Sequence, residues 1–229
     1  MSPARGKGIR LILCAAAFAL LAPAHAEELQ TILTSVGLDH AAEAEAPMFS
    51  EELPASDIDR LFLLYKDARA EGSFDEADTL AKRIVDASIA SNGIDSKVTA
   101  IALTNLGMLQ LSLDESISAA QNFTVAIDVF ERIDNRLSSD LITPLRGLGR
   151  AQQQAGHPDR AIDAWKRAVH IGHVNFGPHN YDQVETLYSI AKLLYDAGAT
   201  DEASKIYKRI SYLHTRYNGK GAKGSTPRI

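Results

Sequence analysis

Between residues 57 and 217, apolar positions recur at i, i+3, i+4 and i+7, the spacing that lines one face of an α-helix, with short breaks at Gly72, Asp114, Gly156 and Gly198. Those break residues tolerate the left-handed backbone that a tight turn between helices requires. Ser96, Ser138 and Asn180 stand where helices should start, and their side chains can accept a hydrogen bond from the first turn. Asp75, Asp159 and Asp201 open other helices with a negative charge that suits the helix dipole. The pattern predicts helices over 57–70, 75–91, 97–111, 116–133, 139–154, 158–174, 181–196 and 201–217.

The helices come in pairs that repeat every 42 residues. Ala77, Ala119, Ala161 and Ala203 form one column, with Ala81, Phe123, Trp165 and Tyr207 four residues later. A third column holds Ile84, Ala126, Ala168 and Ile210. Twelve residues before each alanine stand Tyr65, Gly107, Gly149 and Ala191, each preceded by Leu or Ile, and sixteen after come Gly93, Asn135, Gly177 and Gly219. Small residues at two columns let paired helices approach, the larger one fills the space beyond, and the last column offers helix-ending residue types. The units run 57–98, 99–140, 141–182 and 183–219. Repeat one departs most, with Tyr65 in the small column and Ala81 in the aromatic one.

On these residues the chain resembles the tetratricopeptide repeat family. Leu145, Leu148, Gly149, Gly156, Ala161, Trp165 and Ala168 follow its L-x-x-L-G…G…A…F…A pattern, and Leu103, Leu106, Gly107, Ala119, Phe123 and Ala126 repeat it. The family's usual unit is about 34 residues. The longer unit here, with Phe176-Gly177-Pro178-His179 between repeats, is similar to the kinesin-light-chain-like subclass found in bacterial proteins. The resemblance implies an all-α, right-handed α-solenoid of four helix pairs, with the first helix of each pair lining a concave side. It speaks for fold more than for function, because one fold hosts many tasks.

The flanks read differently. Arg5, Lys7 and Arg10 precede an apolar run over residues 11–21 and a small-x-small site at Ala24-His25-Ala26, which together read as a signal peptide over residues 1–26. A lipoprotein site at Cys14 is the weaker reading, since bulky Leu13 precedes it. Removing residues 1–26 takes three cations and no acid, so the formal net charge falls from −5 to −8, and the one cysteine leaves with them. That acidity argues against a nucleic-acid partner, and nothing remains for a disulfide or thiolate chemistry. No later stretch is apolar enough for a stable membrane anchor. In residues 27–56, Leu29, Ile32, Leu33 and Val36 make an amphipathic stripe before an Ala/Glu-rich linker. It is read as a cap on repeat one, with docking in a groove as the alternative. Residues 220–229 read as a disordered basic tail.

By the resemblance, the groove lining falls on Phe62, Lys66 and Arg69; Thr104, Met108 and Leu111; Arg146, Arg150 and Gln153; and Tyr188, Lys192 and Tyr195. The set holds five cations and no carboxylate in an acidic chain, which suits an acidic or C-terminal peptide. Asn105 matches an asparagine that many family members use to hold a peptide backbone; its counterparts are Leu63, Gly147 and Ser189, so the clamp is incomplete. Asp59 and Glu185 lie near enough in sequence to pair with the cations. His170, His173 and His179 could be read as metal ligands, but a helix end and a linker account for them. No G-x-S-x-G, H-E-x-x-H or G-x-x-x-x-G-K occurs, and the acid pairs sit at helix starts. The expectation is a non-enzymatic adaptor of the cell envelope, periplasmic or secreted, without cofactor, that binds a protein or peptide. A metal or small-ligand carrier using the histidines, or a self-assembling structural protein, are the alternatives.

Overall fold

The computed structural model describes residues 55–222, so residues 1–26, the stripe at 29–36 and residues 223–229 lie outside the described part. The described residues form eight α-helices and no strand: α1 (Ala55–Glu71), α2 (Phe74–Asn92), α3 (Lys97–Ser112), α4 (Ser116–Ile133), α5 (Ile142–Gln154), α6 (Pro158–Phe176), α7 (Val184–Asp196) and α8 (Thr200–Ala222). The order is that of four antiparallel pairs, as the period predicts. The third and fourth pairs open with 3-10 turns, Ser139–Leu141 and Tyr181–Gln183, where the sequence pattern predicts α-helix. Ser138 and Asn180 cap those turns by accepting from the amides of Asp140 (3.3 Å) and Asp182 (3.1 Å), and Ser96 caps α3 through Thr99 (3.1 Å).

Within each pair the turn is the same device. Gly72, Asp114, Gly156 and Gly198 all have positive φ, Asp114 at 60° being the only non-glycine among the described residues to do so. The next residue's amide reaches back five residues, as from Ser73 to Ala68 O (2.9 Å) and from Glu115 to Gln110 O (2.8 Å). This reclaims carbonyls that a helix end leaves unpaired. The column predicted to end the second helices behaves less evenly. Gly93 and Gly177 have positive φ, but α4 ends at Ile133 with Asp134 as its cap, and α8 runs through Gly219 to Ala222.

Close approach inside the pairs explains the small column. A Cβ on Gly149 would lie 2.2 Å from Trp165 Nε1, and one on Gly107 would lie 3.0 Å from the Phe123 ring. Only glycine lets these aromatics lie against the neighbouring backbone. Repeat one reverses the sizes: Tyr65 and Ala81 are both buried, and the Tyr65 hydroxyl donates across to Asn105 O (3.3 Å).

Pairs stack through α2 on α3, α4 on α5 and α6 on α7, the last contact being much the slightest, and α3 also touches α5 directly. Each second helix turns three positions toward the next repeat: Ala81, Val85 and Ser88; Phe123, Ile127 and Phe130; Trp165, Val169 and Gly172. These are buried or, for Val169, half-buried. The matching positions in α8 are Tyr207, Ser211 and His214, all exposed. At the other end, columns buried as Ala102, Leu106 and Leu109 in α3 become exposed Arg60, Leu64 and Asp67 in α1. Arg60 and Asp67 at one end and Ser211 and His214 at the other thus stand, beside exposed Leu64 and Tyr207, where inner repeats carry mostly apolar residues.

Candidate binding cleft between repeats three and four

A cleft of about 290 Å³ opens among α3, α5, α6 and α7, lined by Met108, Thr143, Arg146, Gly147, Arg150, Trp165, Glu185, Thr186 and Ser189. Of the residues expected to line a groove, it gathers Met108, Arg146 and Arg150. A second, wider cleft of about 550 Å³ joins Arg146 to Tyr188, Tyr181, Ile210 and His214. A third, of about 280 Å³, lies between the start of α5, the end of α6 and the start of α7, and Arg146 borders it too. Arg146 therefore stands where three clefts meet.

Two of the five cations already have carboxylate partners. Arg146 Nη2 donates to Glu185 Oε2 across the repeat junction, as the sequence position of Glu185 suggests. Lys192 Nζ donates to Asp196 Oδ2 at 2.8 Å, and this hydrogen bond holds its ammonium above the usual lysine range, with Tyr188 and Tyr207 adding to the effect. Arg69 lies over the Tyr65 ring, 5.6 Å from its centroid, and donates to the Tyr65 hydroxyl. Burial pushes the Tyr65 phenol above its usual range, against the opposing pull of Arg69. Lys66 and Arg150 are exposed and form no ion pair among the described residues. Asp59 is exposed and likewise forms none.

Two expected lining residues belong elsewhere. Thr104 is buried, and its hydroxyl donates to Ala100 O (2.8 Å) in its own helix. Leu111 packs with Ala119, Phe123 and Ala151 in the core between repeats two and three. The direct contact of α3 on α5 is the reason: here the inner face is packing surface rather than lining. Phe62, Lys66, Arg69, Gln153, Lys192 and Tyr195 line none of the three clefts. Asn105 is half-buried, and its carbonyl rather than its amide is engaged by Tyr65. Gly147, its counterpart, is glycine because a Cβ there would lie 2.4 Å from Phe123 Cζ.

The repeat columns assign Trp165 to packing alone. It is buried, yet its edge reaches the first cleft, where Nε1 donates to Arg146 O (3.1 Å) and helps fix the backbone that carries the guanidinium. Thr143 and Thr186 escape a reading of the sequence because their columns, Asp59, Ile101, Thr143 and Glu185, and Arg60, Ala102, Pro144 and Thr186, hold no common residue type.

His170 and His173 are exposed on α6, while His179 lies 5.6 Å from Tyr212, ring centre to ring centre. Among the described residues no three His, Cys, Asp or Glu side chains come together as a metal would need. No helix of the described residues is long and apolar enough to cross a membrane.

No protein-family model matches the sequence, and no curated protein is similar to it. Solved structures are similar to it in fold. BtubC (BKLC) from P. vanneervenii superposes with a TM-score of 0.67 at 19% identity, over 94% of this chain and 78% of that one. A putative kinesin light chain from Podosopora anserina, with nearly identical TPR-like repeats, gives 0.62 at 14% identity, over 83% and 87%. MamA gives 0.55 at 21% identity, over 71% and 81%. The chain shares the tetratricopeptide-like solenoid fold of these structures.

Proposed function

We propose that this chain is a non-enzymatic scaffold of the bacterial cell envelope that holds an acidic peptide or protein segment along its first helices. The centre of that surface is the cleft between repeats three and four. The observation that carries the reading is the placement of Arg146 and Arg150, two cations of an acidic chain, on one cleft floored by Met108 and the edge of Trp165. A carboxylate meeting a guanidinium there gains a charge-assisted, two-pronged hydrogen bond, while the thioether and indole receive an apolar neighbour. The tetratricopeptide-like fold supports a protein partner, and the signal-like residues 1–26 support export to the periplasm or beyond. End-to-end self-assembly is not the reading adopted, because Arg60 and Asp67 at one end and Ser211 and His214 at the other surround exposed Leu64 and Tyr207 with polar groups.

The test uses Trp165, the one tryptophan of the chain, as a fluorescent reporter inside the cleft. An acidic peptide should shift its emission with saturable dependence. The double variant Arg146→Glu, Arg150→Glu should weaken binding by about tenfold or more, the equivalent of about 1.4 kcal/mol or above. Unchanged affinity would remove the cleft from the contact surface. Cell fractionation with and without residues 1–26 tests export.

A further inference from the structure

Six of the chain's seven tyrosines stand between residues 181 and 217, and four of them are arranged about the wider cleft of about 550 Å³. Tyr181 and Tyr188 line it. Tyr217 stacks behind Tyr181, ring centres 4.3 Å apart and planes 23° from parallel, and Tyr207 meets Tyr188 edge to face at 6.1 Å. His214 holds Tyr181 a second time: its ring stands nearly at right angles at 5.3 Å, and Nδ1 shares a 2.8 Å hydrogen bond with the phenol. Repeat packing does not ask for these rings. The column of Tyr181 holds Ala55, Lys97 and Ser139, and that of Tyr217 holds Ser91, Ile133 and Asn175. Two aromatic walls are thus fixed at the cleft, and one of them, Tyr188, leaves 54% of its surface open to a ligand. Val184 and Ile210 add aliphatic surface. Polar groups of both kinds stand among them: Asp182 and Glu185 accept hydrogen bonds, while Arg146 donates. The Asp182 carboxylate is exposed and forms no ion pair among the described residues.

We propose that this cleft binds a neutral saccharide, with a pyranose ring laid on Tyr188 beside Tyr181 and its rim hydroxyls donating to Asp182 and Glu185. Such a ring carries C–H bonds on its faces, whose slight positive charge matches the negative face of a phenol. Its edge carries hydroxyls, which both donate and accept. The charges select against other small ligands. Two carboxylates beside one guanidinium disfavour an anion, and the guanidinium disfavours the cation that tyrosines and acids alone would attract. A neutral ligand meets neither penalty. The volume lies within the range of small-molecule sites, about 300–1,000 Å³. The site is separate from the acidic-peptide reading, for it uses neither Arg150 nor Trp165.

Titration calorimetry of the full chain with cellotriose and its N-acetylglucosamine counterpart provides the test, since the equatorial substituents of both leave the ring faces flat. At least one should give saturable heat, and sorbitol, an open-chain polyol without a ring face, should give none. Tyr188→Ala should weaken the bound trimer by about tenfold, and Tyr188→Phe, which keeps the stacking surface, by no more than about twofold. Asp182→Asn keeps an acceptor but loses its charge and should weaken binding by about threefold. Tyr212→Ala removes an exposed tyrosine that lines none of the three clefts and should change nothing. Absence of heat with both trimers, equal heat with sorbitol, or unchanged affinity in Tyr188→Ala overturns the proposal. Saturable binding of tetramethylammonium with neither trimer bound also overturns it, and assigns the tyrosines to a cation. The acidic peptide has its own readout in Trp165, so either site can fail while the other stands.

Discussion

Two neighbouring junctions of the stack are built from matching columns and come out differently. Between repeats two and three, the Phe123 ring lies against the backbone of Gly147, Phe130 fills the far end, and Leu111 and Ala151 close the core. Between repeats three and four, Trp165 takes the place of Phe123, Ser189 that of Gly147 and Gly172 that of Phe130. Helix α7 touches α6 far less than α5 touches α4, and the space so freed is divided between the first and third clefts. A solenoid can thus make a site without altering its helices, by exchanging a ring for a hydrogen atom and a glycine for a serine at one junction. What is closed by glycine in one place is opened by glycine in the next, because one glycine admits a neighbour's ring and the other takes a ring away.

The sharpest way to break the comparison is to empty the closed junction. Phe123→Ala removes a wholly buried ring and should cost about 3–5 kcal/mol in urea unfolding. Tyr207, the same column in repeat four, is 37% exposed. Tyr207→Ala should cost only about 1 kcal/mol, the centre of the range for point substitutions. Equal costs would mean that this column carries the same load in repeat four as between repeats two and three.

A smaller effect separates the second column. Gly147→Ala places a methyl 2.4–2.8 Å from three atoms of a ring that cannot withdraw, so it should destabilise by about 1–3 kcal/mol despite alanine's better helix propensity. Ser189 already carries a Cβ at the equivalent place, and its hydroxyl turns back to Glu185 O (3.2 Å). Ser189→Ala should therefore stay within about 0.5 kcal/mol. A neutral Gly147→Ala would show that the closed junction is looser than described.

What can be read from the chain divides along the same line. Turns are legible because Gly72, Asp114, Gly156 and Gly198 are types that a left-handed backbone selects. Pairing is legible because Gly149 and Trp165 can only make sense together. The groove is legible in part. Projecting one helical face onto every repeat picks out Arg146 and Arg150, which share one cleft, but it also picks out Thr104 and Leu111, where α3 meets α5 and the face is consumed by packing. Register says which residues share a side of a helix; it does not say how far apart successive helices stand. That distance depends on residues such as Phe130 and Gly172, whose column has no common type to draw the eye. Aligning it by size rather than by similarity is the signal that finds the third cleft.

The smallest expected effect concerns the ion pair that crosses the open junction. Glu185 is exposed, with 76% of its side chain in solvent, whereas Arg146 is about one-third exposed at the meeting of the three clefts. Such a pair adds little to stability, since solvent screens it and two flexible side chains must be held in place. Glu185→Gln should therefore leave the unfolding midpoint unchanged within about 0.5 kcal/mol. Its effect should appear in binding instead. Glu185 presents to Arg146 the same carboxylate that an acidic ligand would bring, so the two compete for one guanidinium. Neutralising Glu185 should strengthen acidic peptides by up to about fivefold, the equivalent of the roughly 1 kcal/mol ceiling of an exposed pair. Neutral peptides should be unaffected, and the gain should fade in high salt. If Glu185→Gln weakens acidic peptides, Glu185 orients Arg146 for the ligand rather than occupying its place. The open junction would then be held ready by its bridge, not kept shut by it.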